Sequence, residues 1–347
     1  MARLRYIAAG MLLVGSIIVG LMVYSIGAGE IASVIAKASL VFLGAYILAS
    51  VGIAAIATYK WQLILRSQRI RIPYNRLFMY RMIGYSVSYL TPTAHVGSEP
   101  IRAYLLKREG IHTNKAFSTV IIDKSLELIA DVLFFFFGAL LIINSVAVNS
   151  RMKLIVLIIS LILILLMGMF VGGVLGKRSM FIAIFRFLRL HRMRKLRPIQ
   201  RNLGAIEKQI ESFYRKEKRL FVIIMGLMVL LWGLMFLEYK FLLLMLGVDA
   251  SLVQIFLILT GVGLAYAVPV PAAMGTLELG QLSAAKVLAL GSATGIALAF
   301  IVRARDLVWT AIGLVFLTIY QFSFSRLAKE TKRIDKEFEK GDIEERM

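Results

Sequence analysis

The sequence contains no cysteine, only three histidines, and 20 acidic residues against 41 basic ones in a chain of 347. The missing cysteines exclude disulfide bonds and thiolate chemistry. His95, His112 and His191 do not have the spacing of metal ligands, and there is no glycine-rich phosphate loop or nucleophile elbow. We therefore expect no enzyme activity, no metal site and no cofactor.

Apolar residues, by contrast, make up 59% of the chain, and the mean hydropathy is +0.81. Several apolar runs reach the roughly 20 residues that a helix needs to cross a bilayer. These runs cover 6–27, 39–59, 116–143, 154–175, 220–246 and 293–321. The pattern predicts an all-α polytopic membrane protein with about six full spans.

The net charge of +21 has a distribution typical of membrane topology rather than of nucleic acid binding. Most basic residues fall in segments that we assign to one side of the membrane, and only Lys37, Arg151 and Lys153 fall on the other. The positive-inside rule then places both termini in the cytoplasm. We therefore expect a multi-pass protein of the plasma membrane. The basic surface should attract anionic phospholipids, which are the expected partners.

Two apolar segments, 77–101 and 252–290, are interrupted by proline, glycine and a carboxylate. Such interruptions are tolerated at membrane depth only where they are buried in protein or line a watery cavity. The cytoplasmic loops that flank 77–101, residues 60–76 and 102–115, are both basic, so this segment must enter and leave on the same side, as a re-entrant hairpin. The residues at the two breaks are Pro92 and Gly97 in the first segment, and Pro269, Pro271 and Gly275 in the second.

The order helix, helix, re-entrant hairpin, helix then occurs twice, with opposite orientation in the membrane. Repeat one covers 1–143 and repeat two covers 144–321, and a charged cytoplasmic tail follows at 322–347. Inverted repeats with paired broken helices are the plan of many transporters, whose sites lie near the midplane between the repeats. The alternative is that each hairpin is two ordinary short helices and that the likeness is chance.

Repeat two also contains a basic cytoplasmic linker, 176–219. Its first part, Met180 to Leu196, mixes aromatic and basic residues in the manner of a helix lying at the membrane surface. Leu203, Ile206, Ile210 and Phe213 recur at helical spacing and predict a second amphipathic helix.

Ionisable residues also lie inside the apolar segments, where an isolated charge would cost about 2.5 to 3.5 kcal/mol. Acids and bases nearly balance there, which predicts a paired network inside the bundle. Whether this network binds a substrate or only locks the repeats together is left open. The candidate translocation residues are Glu99, Arg102, Asp123, Lys124, Glu127, Asp131, Glu278, Arg303, Arg305 and Asp306.

Within this set, Arg303 and Arg305 are the best candidates for an anionic phosphate, because guanidinium groups bind it bidentately. Helices that begin after Pro92 and Pro271 would add positive dipole ends. Residues 123, 127 and 131 are four apart and should share one helix face. By spacing, we also expect Arg303 to pair with Asp306, and Glu99 to bridge to Arg102.

These residues carry a resemblance to the lysylphosphatidylglycerol synthase transmembrane-domain, or flippase-like, family. The first signature resembles Pro92-Thr93, Gly97, Glu99, Arg102 to Leu106, Asp123-Lys124 and Glu127, and the second resembles Pro271, Gly275, Glu278 and Arg303. The likeness covers roughly 6–321. Two departures are Ser98, which separates Gly97 from Glu99, and the few glycines at Ala272-Ala273-Met274.

The resemblance implies a stand-alone member without the aminoacyl-transferase domain, one that moves a polar-headgroup lipid between leaflets by alternating access. Two alternatives remain open. One is a proton-coupled transporter of a small soluble solute, and the other is a non-transporting membrane partner of a separately encoded lipid- or glycan-modifying enzyme. Homo-oligomerisation is left open as well.

Overall fold

The computed structural model describes residues 17, 20–21, 23–36, 38–91, 97–143, 150–175 and 197–320. Every regular element in these ranges is helical, which confirms the all-α class. In chain order the helices are α1 Ala28–Ala36, α2 Leu40–Ser67, α3 Tyr74–Leu90, α4 Ser98–Arg108, α5 Thr113–Ile143, α6 Ser150–Leu175, α7 Arg197–Lys216, α8 Lys218–Met245, α9 Leu252–Ala267, α10 Thr276–Val287 and α11 Ser292–Ile319.

Helices α2 and α8 are long and apolar enough to cross a bilayer, with mean hydropathies of 2.3 and 2.8 over their most apolar windows. Each has 28 residues, or about 42 Å at the rise of an α-helix, against a hydrocarbon core of roughly 30 Å. The two helices pack closely along each other. They form the central pair, one from each predicted repeat.

The predicted cytoplasmic loop 102–115 begins within α4, which ends at Arg108. The predicted cytoplasmic loop 60–76 is also wrong at its start, because α2 continues to Ser67 and contains Lys60. The sequence-based boundary was set at the first charge after the apolar run 39–59. Lys60 does not end the helix, since its ammonium group is fully buried against acids of another helix. The connection to α3 is therefore shorter than expected.

Segment 252–290 folds as two helices, α9 and α10, joined by a non-helical break. Pro269 lies in the break, and Pro271–Ala273 form a tight turn whose backbone is not that of a regular helix. Gly275 has a φ of +83°, which glycine adopts without strain, and α10 begins directly after it. The two helices approach closely, since a Cβ on Gly280 would lie 2.8 Å from the carbonyl oxygen of Gly261.

Segment 77–101 also forms two helices, α3 and α4. Gly97 directly precedes α4 with an ordinary helical backbone, and Pro92 lies outside the described residues. A Cβ on Gly84 would lie 3.3 Å from Cβ of Ser98, so α3 and α4 touch near the break. Both predicted hairpins are thus helix–break–helix units, whereas their re-entrant orientation in a membrane stays a prediction.

The helix contacts are reciprocal between the two halves. In each half the second hairpin helix packs on the last long helix, as α4 on α5 and α10 on α11. The first hairpin helix contacts the last helix of the other half, as α3 with α11 and α9 with α5. Such exchange is expected of paired repeats, although inverted topology and the boundaries 1–143 and 144–321 stay predictions.

The predicted second amphipathic helix of the linker is present as α7. Its residues Ile206, Ile210 and Phe213 are buried against α5 and α8. Tyr214 hydrogen-bonds Ser125 of α5 at 2.9 Å, and burial raises the pKa of this phenol to about 12 although that hydrogen bond lowers it. The predicted surface helix Met180 to Leu196 and the tail 322–347 lie outside the described residues.

Helices α3 and α11 meet backbone to backbone at Gly313. A Cβ there would lie 1.9 Å from Oγ of Ser86 and 2.2 Å from the carbonyl oxygen of Met82. The Ser86 hydroxyl donates to the carbonyl oxygen of Thr310 at 2.9 Å, which fixes the register of the two helices. This contact joins the first helix–break–helix unit to the last long helix of the other half of the chain.

We expect Gly313→Ala to destabilise the protein, because the added methyl group must push α3 away from α11. Gly226→Ala is the matched control: Gly226 lies within α8, and a Cβ there would meet nothing within 4 Å. Alanine is favoured over glycine within helices by roughly 1 kcal/mol, so the control should melt at or above the wild-type temperature. Thermal unfolding of the detergent-purified variants measures both, and equal melting temperatures would contradict the close contact.

Candidate functional site

The buried charges form two separate clusters, one in each half of the chain. The first cluster consists of Lys60, Arg81, Arg102, Asp123, Lys124 and Glu127. The second cluster consists of Glu238, Glu278, Arg303, Arg305 and Asp306. The expected network therefore exists, but as two units rather than one.

Asp123 is the centre of the first cluster and is fully buried. Nζ of Lys60 lies 3.0 Å from its Oδ1, and Nη2 of Arg102 lies 2.6 Å from its Oδ2. The Arg102 guanidinium also lies over the ring of Trp61, 4.0 Å from the centroid, where a cation is attracted to the π face. Helices α2, α4 and α5 are thus tied together at one carboxylate.

Glu127 lies one turn further along α5 and accepts from the same lysine. Nζ of Lys60 lies 2.8 Å from its Oε1, and Nζ of Lys124 lies 3.4 Å from its Oε2. The predicted acidic face is therefore paired at positions 123 and 127. Asp131, two turns from Asp123, lies at the protein surface, and no ion pair joins it to the cluster among the described residues.

The expected bridge between Glu99 and Arg102 is not formed. Arg102 turns to Asp123 instead, because α4 packs on α5 and brings that carboxylate within 2.6 Å. Oε2 of Glu99 is buried and has no hydrogen-bond partner within the described ranges. Spacing along α4 alone would allow Arg102 to pair with Glu99, but Asp123 on α5 is the partner that Arg102 binds.

In the second cluster, Arg303 and Arg305 bind different partners. Nε of Arg303 lies 2.7 Å from Oε1 of Glu278, and its Nη2 lies 2.6 Å from the same oxygen. Arg305 donates from Nη1 to Glu238 at 2.7 Å and from Nη2 to Asp306 at 2.9 Å. The expected pair Arg303–Asp306 is therefore wrong, because Glu278 of α10 binds Arg303 and Arg305 binds Asp306.

Arg303 and Glu278 together hold the break of the second hairpin. Ala272 and Ala273 have φ values of 53° and 47°, the left-handed region that costs an alanine about 1 to 2 kcal/mol. The carbonyl oxygen of Ala272 accepts from Nη1 of Arg303 at 3.0 Å. The Gly275 N–H donates to Oε2 of Glu278 at 3.0 Å. The positive start of α10, expected to attract an external anion, is thus occupied by the protein's own carboxylate.

The two clusters share one plan with the signs reversed. In each, a charge on the central helix pairs with the last long helix: Lys60 with Asp123, and Glu238 with Arg305. A charge on the second hairpin helix also pairs there: Arg102 with Asp123, and Glu278 with Arg303. The two halves of the chain therefore place their ion pairs alike but do not share a common set of ligands.

A cavity of about 250 Å³ lies between the two clusters and is lined by α2, α3, α8 and α11. Its polar and aromatic lining residues are Ser50, Arg81, Tyr85, Glu238, Arg305 and Trp309. Both halves of the chain contribute to it: Arg81 comes from the first cluster, and Glu238 and Arg305 come from the second.

Arg81 is the cation on this cavity with unused hydrogen-bonding capacity. Its nitrogens lie 3.8 Å from Glu127 and 3.9 Å from Asp123, longer than the contacts of Lys60 and Arg102 to the same acids. Its hydrogen bond to the Ala57 carbonyl oxygen is 3.4 Å long. A guanidinium has five N–H donors, so Arg81 can donate hydrogen bonds to a further anion. Arg305, in contrast, is held by Glu238 and Asp306.

Sequence reasoning did not assign Lys60, Arg81 or Glu238 to the site. Arg81 and Glu238 stand out in the sequence as charges within apolar segments, but no spacing indicates their partners. Lys60 carried no such signal, because it follows an apolar run directly and resembles the start of a loop. Only the packing of α2 against α5, α8 and α11 shows that these residues lie inside.

Helices α2 and α8 have membrane-spanning length, and charges on them are buried as ion pairs with neighbouring helices, as is typical of a helical membrane protein. Residues 7–314 match the family model described as the lysylphosphatidylglycerol synthase TM region, and the chain belongs to this family. The resemblance drawn from the hairpin residues is confirmed.

Two curated relatives are UPF0104 membrane proteins of archaea. One, from Methanothermobacter thermautotrophicus, is 27% identical over 281 residues, which cover 75% of this chain and 80% of the relative. The other, from Pyrococcus horikoshii, is 26% identical over 236 residues, which cover 64% of this chain and 70% of the relative. Both are described as membrane proteins, in agreement with the helices found here.

Proposed function

We propose that the protein is a flippase-like lipid transporter of the plasma membrane that binds the headgroup of an anionic phospholipid between its two repeats. The observation that carries this proposal is the cavity of about 250 Å³ between the two clusters, where Arg81 has N–H donors without short partners. We call it the headgroup cavity. Its position between helices of both halves is the position of substrate sites in repeat-built transporters. Membership in a family named for the membrane region of a lipid synthase supports a lipid as the cargo.

In this proposal the phosphate of the lipid accepts hydrogen bonds from Arg81, which exchanges its long contacts to Asp123 and Glu127 for short ones. Arg305 adds positive potential but stays bound to Glu238 and Asp306. Lys60, Arg102, Arg303 and Glu278 hold the helices and the hairpin break in place. No covalent step is involved, and the protein only lowers the barrier that a charged headgroup meets in the bilayer.

Transport then requires that the cavity open to one side of the membrane at a time. The contact between α3 and α11 at Gly313 and the pairing of α2 with α8 join the two halves. Rocking of one repeat against the other about these contacts would expose the cavity alternately, as in other transporters with repeats. The inverted orientation of the repeats and the cytoplasmic location of both termini are part of this proposal.

The test is translocation of labelled lipids by the purified protein in liposomes. Fluorescent phosphatidylglycerol, phosphatidylethanolamine and a neutral glycolipid are compared, with and without a proton gradient. We expect protein-dependent loss of outer-leaflet label, fastest for phosphatidylglycerol. Proton-dependent uptake of a soluble solute without lipid movement would support the solute transporter instead. Lack of any transport until a separate lipid- or glycan-modifying enzyme is added would support the membrane partner.

A further inference from the structure

A second cavity, of about 410 Å³, lies beside the headgroup cavity, between α2 and α11. We call it the apolar groove. Its lining is almost entirely hydrocarbon, with Leu43, Ile47 and Val51 from α2 and Ile301, Val308 and Ile312 from α11. Ile47 is 53% exposed and Val308 is 59% exposed, so the groove lies at the outer surface of the helix bundle. In a bilayer this surface meets the acyl chains of lipids.

The groove is continuous with the headgroup cavity through shared residues. Ser50, Arg305 and Trp309 line both. The indole N–H of Trp309 donates to Oγ of Ser50 at 3.0 Å and so joins α11 to α2 at the boundary between the polar and the apolar space. Tryptophan suits such a boundary, because its ring is apolar and its N–H needs a polar partner.

We propose that the apolar groove holds one acyl chain of the lipid whose headgroup lies in the headgroup cavity, and that the lipid enters between α2 and α11. This inference rests on the proposed function. Three observations on the described residues support it. The groove is apolar, and it faces outward at Ile47 and Val308. It also joins a cavity where the guanidinium of Arg81 has N–H donors without short partners. A soluble anion has no hydrocarbon chain that could fill such a groove.

The groove should affect the rate of transport more than the affinity for the lipid. An acyl chain that moves from the bilayer into the groove exchanges one apolar environment for another, so little hydrophobic free energy is gained. The groove instead keeps the chain beside the protein while the headgroup crosses. A bulky side chain in the groove should therefore slow translocation and leave the headgroup site intact.

The test compares Val308→Trp with Val229→Trp. Val308 lines the groove, whereas Val229 lies on α8, is 60% exposed and lines neither cavity. Both substitutions add the same bulk to an exposed position, so both variants should fold. Ala304→Phe, at another exposed position of the groove, serves as a second blocking variant.

We expect Val308→Trp and Ala304→Phe to slow translocation of long-chain phosphatidylglycerol by about tenfold or more, and Val229→Trp to stay within about twofold of wild type. Wild-type rates in both blocking variants, with an active wild-type protein, would overturn the groove and leave the proposed function standing. Absence of lipid translocation by the wild-type protein would overturn the proposed function and the groove with it.

Discussion

Replacing Arg81 by glutamine is expected to slow translocation of an anionic phospholipid by about tenfold or more. A hydrogen bond to a charged group contributes roughly 1.5 to 3 kcal/mol, and 1.4 kcal/mol corresponds to a factor of ten. Glutamine keeps a polar side chain of similar reach but loses the charge and the bidentate geometry. Because the ion pairs of Arg81 are long, at 3.8 and 3.9 Å, the fold should tolerate the change.

The matched control for Arg81 is Arg76→Gln on the same helix. The Arg76 side chain is 48% exposed and pairs with Glu109, away from the headgroup cavity. Its replacement should leave the rate within about twofold of wild type. Arg81→Lys should recover part of the rate, since lysine restores the charge without the fork of donors. If Arg81→Gln translocates phosphatidylglycerol at the wild-type rate while folded, the headgroup does not bind at Arg81.

Replacing Asp123 by asparagine should cause a large loss of stability. Lys60 and Arg102 are both buried and both bind this carboxylate, so the change leaves two cations without their common partner. Removing one member of a buried ion pair costs about 3 to 5 kcal/mol. The melting temperature of the purified protein should fall by on the order of 10 °C.

Asp249→Asn is the control for Asp123. The Asp249 side chain is 81% exposed and pairs with Lys240 at the surface, where an ion pair contributes about 0 to 1 kcal/mol. This variant should melt close to the wild type. An unchanged melting temperature for Asp123→Asn would show that the first cluster does not stabilise the fold. Its tight pairing would then have to be explained by transport, the alternative that the sequence left open.

Pairings predicted from spacing along one helix agree with the structure for some candidate residues and not for others. Asp123 and Glu127 were grouped correctly, because four residues along a helix place two side chains on one face whatever surrounds it. Glu99–Arg102 and Arg303–Asp306 were paired by the same kind of spacing and are not formed. Arg102 and Arg303 each bind a buried acid that lies closer on a neighbouring helix.

The roles of the two arginines of α11 changed for the same reason. From its residue type alone, Arg303 was a candidate for phosphate, but the left-handed alanines at the hairpin break place two carbonyl oxygens beside it. Glu278 forms an ion pair with the same guanidinium, so Arg303 stabilises the turn at the break. Arg81 was recognised only as a charge in an apolar segment, and it is now the proposed ligand because its own pairs are long.

By itself, the sequence determined the all-α class, the helices α2 and α8 of membrane-spanning length, the amphipathic helix α7, the two helix–break–helix units and the family. These follow from local order, since the length of an apolar run, its period and its proline and glycine breaks act on the residues next to them. The tertiary structure alone decided which charges pair, that Lys60 lies inside, and where the two cavities lie. Those features depend on distances between helices that are far apart in the chain, and no spacing along one helix encodes them.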